Sequence, residues 1–253
     1  MKLMQAFIIA FSMYSRIPMP KTTWNEENMK YAMCFFPAIG VVIGVLQYLI
    51  GQVLLESNCG TLFFAAVMTL LPLFVSGGIH MDGFMDTMDA LGSYGDKEKK
   101  LAILKDSHSG AFAILGLGCY LVWSLGVWSE VRADMLGVIS CGYVLSRTLS
   151  GYSVVTFPSA RENGLAKTFK EQAAEKTVRV TMVFYLCAAG AGMLWFDLAK
   201  AVGVLAMAGI VFGHYWHICK VQFGGVTGDL AGYFLQMCEL AMVTGVLAVG
   251  YFI

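Results

Sequence analysis

Long apolar segments are the feature of this sequence that most restricts its fold. A helix needs about 20 mostly apolar residues to cross a hydrocarbon core about 30 Å thick, since each residue adds 1.5 Å. The segments that meet this requirement are approximately 31–55, 62–75, 111–128, 135–157, 178–196, 201–219 and 234–253. Glycines at helical spacing, such as Gly40 and Gly44, predict close contact between helices. The sequence therefore predicts an all-α, polytopic membrane helix bundle with about seven transmembrane helices.

The composition agrees with a membrane location. Hydrophobic residues make up 58% of the chain and charged residues 13%, whereas soluble domains average about 45–50% and about 25%. The 17 Lys and Arg residues balance the 17 Asp and Glu residues. A nucleic-acid partner is not expected, because it would require a basic surface. The length predicts a single integral membrane domain that spans residues 1–253.

Segment 3–14 is apolar but too short to cross a bilayer, so we predict a short N-terminal interfacial helix. No cleavage pattern of a signal peptide follows it, and we expect it to be retained. If the chain crosses the membrane seven times, one face of the membrane carries most of the Lys and Arg residues. The same face carries the polar loops 77–110, 158–177 and 220–233. By the positive-inside rule, this face is the cytoplasmic side of the cell membrane.

Three aspartates follow the second apolar segment at helical spacing. Asp82, Asp86 and Asp89 stand at i, i+4 and i+7, which places them on one face of a helix. Like charges near the membrane interface repel one another, so we expect a cation beside them. Oxygen ligands at this spacing favour Mg²⁺, with Mn²⁺ as an alternative. A solvated acidic helix face is the other interpretation, although the residues between the aspartates are mostly apolar.

Charged residues in and near the other polar loops are further candidates for ligand binding. Lys105 and Asp106 precede the third apolar segment. They could contact a phosphate of a ligand, or they could belong to an ordinary solvated loop. Arg147 lies within the fourth segment, and a structural ion pair or a phosphate contact would each suit a guanidinium that keeps its charge. Arg161, at the end of that segment, is suited to bidentate phosphate binding.

The last polar loop is rich in glycine. Gly224, Gly225 and Gly228 surround Thr227, and Asp229 follows. Glycine backbone can approach a ligand closely, and Asp229 would then be a further ligand. The alternative is a turn that Thr227 or Asp229 caps at the start of the next helix.

Taken in order, these motifs resemble the cobalamin synthase family, the adenosylcobinamide-GDP ribazoletransferases. The central pattern is H-x-D-G-x-x-D-x-x-D at 80–89, followed by K-D-S-x-x-G at 105–110. The other matching motifs are S-R-I-P at 15–18, S-R at 146–147, P-x-x-R at 158–161 and G-x-T-G-D at 225–229. The resemblance covers nearly the whole chain. The departures, Ala90, His108 and Ala166, affect loop geometry more than the carboxylates.

The resemblance implies the last assembly step of the nucleotide loop of vitamin B12, in one catalytic domain. A ribose hydroxyl of α-ribazole, or of its 5′-phosphate, attacks the cobinamide-linked phosphorus of adenosylcobinamide-GDP, releasing GMP and forming adenosylcobalamin or its 5′-phosphate. Asp82, Asp86 and Asp89 are then catalytic residues that hold the metal, and His80 or a carboxylate accepts the proton. The expected substrate-binding residues are Lys105, Asp106, Arg147, Arg161, Thr227 and Asp229. The lipid bilayer is a further partner, and the oligomeric state, with a homo-oligomer as one alternative, stays open.

Two rival functions fit parts of the sequence. Another intramembrane alcohol transferase, such as a CDP-alcohol phosphotransferase or a prenyltransferase, would also use aspartates and a metal. The CDP-alcohol phosphotransferases usually have D-G-x-x-A-R, and here Met85-Asp86 occupies the place of Ala-Arg. An ion-coupled transporter would need carboxylates near the middle of the membrane, whereas the aspartates here cluster in one loop.

Overall fold

Helices account for most of residues 2–160 and 173–252, which are the residues that the computed structural model describes. In chain order they are α1 (Lys2–Tyr14), α2 (Glu26–Met29), α3 (Phe36–Glu56), α4 (Thr61–Ser76), α5 (Ile79–Gly92), α6 (Lys97–Ile103), α7 (Ala111–Ser129), α8 (Ala133–Thr156), α9 (Glu175–Phe196), α10 (Leu198–Ile218) and α11 (Gly228–Phe252). A 3₁₀ turn (Ala32–Phe35) leads into α3, and a π-helical turn (Cys219–Phe223) follows α10. Within the described ranges there is no β-strand, so the predicted all-α fold is confirmed.

Helix α8 lies at the centre of the bundle and packs against α3, α9 and α11. Its contact with α3 depends on two glycines. A Cβ atom on Gly40 would lie 2.3 Å from the carbonyl oxygen of Tyr143, and one on Gly44 would lie 2.4 Å from that of Ser140. Real side chains cannot occupy such positions, so the two backbones touch. The predicted close packing at these glycines is confirmed.

The number of membrane crossings differs from the prediction. Among the described helices, five are long and apolar enough to cross a membrane, or six if α4 and α5 form one bent span. The predicted count of seven is therefore not confirmed. Helix α4 has only 16 residues, and α8, with Arg147 and several serines, is not among the five. Several apolar helices remain, and the fold is that of a multi-pass membrane protein.

Pro72 interrupts the hydrogen bonding of α4, and a neighbouring helix compensates for it. Proline has no N–H, so the carbonyl of Met68, four residues earlier, lacks its usual helical donor. The side-chain nitrogen of Gln47, on α3, donates to that carbonyl at 2.8 Å and to the Tyr143 hydroxyl on α8 at 2.9 Å. One buried amide therefore joins α3, α4 and α8, which keeps the backbone satisfied where water is absent.

The predicted short N-terminal helix is present as α1, and it is below the length of a span. One side of α1 is buried against α2 and the 3₁₀ turn, with Ile9 and Phe11 in the core. The other side exposes Leu3 and Met4. The end of α1, at Tyr14, reaches the polar cavity described next.

Candidate active site between α5 and α11

A sharp bend between α4 and α5 places the aspartate-bearing helix inside the bundle. The two helices meet at 98°. Gly77 and Gly78 form the bend with φ values of 68° and 79°, a left-handed conformation that favours glycine. The Arg16 side chain lies against Gly77, and the Arg16 N–H donates to the carbonyl of Val75 at 2.8 Å. The first part of the predicted polar loop 77–110 is thus a helix that packs against α11 and α7.

Helices α5 and α11 touch through two glycines. A Cβ atom on Gly83 would lie 2.8 Å from the backbone of Asp229, and one on Gly232 would lie 2.9 Å from the carbonyl oxygen of His80. The start of α5 and the start of α11 are therefore held in direct contact. This contact brings Asp82 and Asp229 to the wall of the same cavity.

That cavity has a volume of about 290 Å³ and a partly polar wall. Its lining comes from α5, α11, α8 and the N-terminal region, and includes His80, Asp82, Asp229, Ser150 and Tyr14. Two carboxylates, an imidazole and two hydroxyl groups thus surround one space. We call it the polar cavity. The sequence analysis identified the first three residues, but Ser150 and Tyr14 were missed.

His80 is buried, with 5% of its surface exposed, and its ring packs against two aromatic rings. The Tyr14 ring is nearly parallel to the imidazole at 6.1 Å between centroids, and the Phe36 ring meets it edge-on at 5.8 Å. Within the described part of the chain, His80 Nε2 has no hydrogen-bond partner. A buried polar atom without a partner is costly in a structural role, so a ligand is the natural partner for this nitrogen.

The three aspartates of α5 have different surroundings. All three lie on one helix, as predicted. The Asp89 carboxylate, however, accepts hydrogen bonds from the backbone N–H groups of Gly110 and Ala113, the latter at 2.8 Å. It therefore caps the start of α7. Among the described residues, no group of three His, Cys, Asp or Glu side chains lies close enough to hold a metal ion. The structure does not bring the three carboxylates together as a ready-made metal site.

Arg147 forms the structural ion pair that was one of its two predicted alternatives. It is 1% exposed, and its guanidinium donates to Glu239 Oε1 at 2.5 Å. The same guanidinium nitrogen donates to the Tyr143 carbonyl oxygen at 3.3 Å, and the Ser146 hydroxyl donates to Glu239 Oε1 at 3.0 Å. Arg147 is not among the residues that line the polar cavity. The predicted phosphate contact is therefore not what the structure shows.

The glycine-rich loop before α11 is fixed by backbone contacts. Val226 N–H donates to the Pro158 carbonyl at 2.8 Å, and Ala160 N–H donates to the Val226 carbonyl at 3.0 Å. Thr227 is buried, and its hydroxyl oxygen accepts from the Leu230 N–H at 3.2 Å. Thr227 therefore caps α11, which is the alternative interpretation of this loop. Arg161, the predicted phosphate ligand, lies outside the described residues.

Basic residues from α6 reach the same loop. The Lys97 side chain lies against Gly224, which has a φ of 74°. Lys100 is buried and donates to the side chain of Gln222. The structure thus places both lysines beside the last polar loop.

Lys105 and Asp106 lie in the exposed connection between α6 and α7. The Asp106 carboxylate accepts hydrogen bonds from the backbone N–H of His108 at 3.0 Å and from its ring at 2.7 Å. These hydrogen bonds lower the pKa of Asp106. Neither Lys105 nor Asp106 lines the polar cavity.

Comparison with known proteins agrees with these features. An adenosylcobinamide-GDP ribazoletransferase of Lachnoclostridium phytofermentans is 45% identical over 240 residues, which are 95% of this chain and 92% of that protein. One from Clostridium perfringens (strain SM101) is 34% identical, with 97% of each chain covered. One from Carboxydothermus hydrogenoformans is 31% identical, with 98% of each covered.

No solved structure shows a significant match to the chain. The family model for cobalamin-5-phosphate synthase, by contrast, matches residues 6–247, which is almost the full length. The chain belongs to the cobalamin-5-phosphate synthase family.

Proposed function

We propose that this protein is an adenosylcobinamide-GDP ribazoletransferase whose reaction takes place in the polar cavity. The relatives of similar length carry that name. The observation that carries the proposal is that Asp82, Asp229 and His80 line one cavity, and that His80 Nε2 has no hydrogen-bond partner among the described residues. The site must bind a diphosphate and an attacking alcohol. It therefore needs anionic ligands that hold a cation, and it also needs a proton acceptor. These residue types supply both.

In the proposed reaction, a ribose hydroxyl of α-ribazole or its 5′-phosphate attacks the cobinamide-linked phosphorus of adenosylcobinamide-GDP. A new bond forms between that oxygen and phosphorus, and the bond to the GMP phosphate oxygen breaks. GMP leaves, and adenosylcobalamin or its 5′-phosphate remains. The hydroxyl proton passes to His80 Nε2 or to a carboxylate of the cavity. A neutral imidazole has one ring nitrogen that can accept a hydrogen bond, so His80 is able to orient the hydroxyl.

The predicted Mg²⁺ fits the polar cavity better than the face with three aspartates. Mg²⁺ in phosphoryl-transfer sites is held by one or two carboxylates, with waters and substrate phosphates completing its shell. Asp82 and Asp229 line one cavity and are such a pair, whereas Asp89 is occupied as a helix cap. We propose these two carboxylates as the holders of Mg²⁺ or Mn²⁺, with Asp86, one turn after Asp82, as a further candidate. When bound, the metal would neutralise charge on the departing phosphate.

We propose that the polar cavity faces the cytoplasm. Lys97, Lys99 and Lys100 lie on α6, close to the loop that precedes Asp229, and basic loops stay on the cytoplasmic side. Cysteine introduced at the exposed Lys99 should resist a membrane-impermeant maleimide in intact cells and react after permeabilisation. Strong labelling in intact cells would reverse the proposed orientation.

The proposed reaction is tested by following both products. Purified protein in lipid nanodiscs receives adenosylcobinamide-GDP, α-ribazole and Mg²⁺, and GMP and cobalamin are measured together. We expect one GMP per cobalamin, with the rate depending on both substrates. α-Ribazole 5′-phosphate, compared in parallel, identifies the preferred acceptor. If the protein binds a lipid alcohol and releases no GMP with either ribazole, the proposed function is wrong.

A further inference from the structure

The N-terminal helix supplies a residue to the polar cavity that the proposed chemistry does not use directly. Tyr14 is the last residue of α1, and it lies next to the S-R-I-P motif at 15–18. Its ring lines the polar cavity together with His80 and Asp82. Helix α1 is thus more than a surface attachment, because its end forms part of the cavity wall.

The geometry connects Tyr14 to one specific group. Its ring is stacked on the imidazole of His80 at 6.1 Å, with 17° between the ring planes. Phe36 contacts both rings, with its centroid 4.6 Å from that of Tyr14 and 5.8 Å from that of His80. The three rings form one cluster, in which the neighbouring rings of Tyr14 and Phe36 both pack against the imidazole.

The position of Tyr14 is itself fixed by neighbouring groups. Its hydroxyl donates to Met33 Sδ at 3.9 Å, and Met33, in the 3₁₀ turn, also lines the polar cavity. The adjacent Ser15 is buried, and its hydroxyl donates to the Phe11 carbonyl at 2.6 Å, which secures the end of α1. A ring anchored in this way restricts how far the imidazole can rotate.

We propose that Tyr14 is a positioning residue for His80. Its ring packs against the imidazole in the wall of the polar cavity and fixes the orientation in which His80 meets an alcohol substrate. This inference rests on the proposed function for the identity of the reaction. Small errors in the placement of a reacting group are expensive, since a misplacement of about 1 Å can cost about 100-fold in rate.

Kinetics of Tyr14 variants test the proposal. Tyr14→Phe keeps the ring and should stay within about threefold of the wild-type kcat, whereas Tyr14→Ala should lower kcat by about 10- to 100-fold with a smaller change in KM. Tyr48→Ala is the matched control, since the Tyr48 ring lies 6.1 Å from the Phe196 ring, away from the polar cavity.

A double-mutant cycle separates positioning from a general loss of structure. If Tyr14 acts through His80, then Tyr14→Ala should lower the rate of the His80→Ala variant by less than about twofold. An equal loss in both backgrounds would overturn the proposal. An unchanged kcat in Tyr14→Ala would do the same.

Chemical labelling gives a readout that does not require turnover. Diethyl pyrocarbonate acylates imidazole nitrogen, and mass spectrometry can follow His80 against the exposed His108. We expect His80 to react slowly in the wild type and several times faster in Tyr14→Ala, with His108 unchanged. If the wild type forms no GMP, the proposed function fails, but the labelling still decides whether Tyr14 holds this imidazole. Equal His80 labelling in both proteins would overturn the inference.

Discussion

The ion pair in the centre of the bundle and the polar cavity both contain ionisable groups, but the surroundings of these groups differ. Arg147 and Glu239 bind each other, and Ser146 supplies a further hydrogen bond to the same carboxylate. In the polar cavity, His80 Nε2 has no partner within the described part of the chain, and Asp82 borders open space.

This difference indicates which buried charges serve stability and which serve function. Removing one partner of a buried ion pair destabilises the fold because it leaves the other charge uncompensated, whereas polar groups in the wall of a cavity can contact a ligand. A prediction from the sequence could not make this distinction for Arg147, because its partner lies 92 positions away along the chain.

The largest effect, a loss of folding stability, is expected when the Arg147–Glu239 ion pair is broken. Arg147→Met leaves Glu239 buried without its partner, and such a loss costs about 3–5 kcal/mol of folding free energy. Thermal unfolding in detergent should show a large fall in Tm, while the double variant Arg147→Met/Glu239→Leu should recover most of it. If Arg147→Met keeps its Tm and loses only substrate affinity, Arg147 is a substrate ligand and the comparison fails.

Asp82→Asn should reduce turnover without reducing stability. The amide preserves the size of the side chain but removes a negative charge from the polar cavity, and losses of metal-supporting groups cost about 10–100-fold in affinity or activity. The loss of a residue that binds the metal directly should be at the upper end of that range. A Mg²⁺ or Mn²⁺ titration of the rate should recover activity in part if the group is a ligand. Full activity at limiting metal would exclude Asp82 from the proposed site.

Variants of Asp89 test whether this residue caps a helix or binds a metal. Asp89→Asn keeps an oxygen that can accept from Gly110 and Ala113, so activity should stay within a few-fold of the wild type. Asp89→Ala loses the cap and should destabilise the protein by about 1 kcal/mol. Tm and rate are measured for both variants. A loss in Asp89→Asn as large as that in Asp82→Asn would return Asp89 to the metal site, as the sequence analysis predicted.

The smallest effect on Tm and activity is expected for a substitution in the exposed connection between α6 and α7. His108→Ala removes the hydrogen bond that lowers the pKa of Asp106. The stabilisation from a lowered carboxyl pKa is present above the ordinary pKa of Asp and is lost as the pH falls through the lowered value. Both groups are solvent-exposed, so Tm at pH 7 should not change measurably. A large loss of activity in His108→Ala would place this loop in the substrate site.

The helix that carries the aspartates was predictable from the sequence, because the i, i+4, i+7 spacing is a local property. A close helix contact at Gly40 and Gly44 was predictable from their spacing, but its partner, α8, was not. The capping role of Asp89 was not, because it depends on where the start of α7 lies in space. The predicted count of seven crossings is not confirmed, because apolar length alone did not show that α4 has only 16 residues or that α8 is too polar to be among the five long apolar helices.

The polar cavity itself is tested most directly by filling it. Gly228 lines the cavity, and a Cβ atom added there meets no atom of the described residues within 4 Å. Gly213 on α10 has equally open space but does not line the cavity. We therefore compare the rate of GMP release in Gly228→Leu and Gly213→Leu, with Tm measured for both. The account predicts a loss of at least about tenfold in Gly228→Leu at an unchanged Tm, and near-normal turnover in Gly213→Leu. Normal turnover in a folded Gly228→Leu variant would contradict the assignment of the polar cavity as the active site.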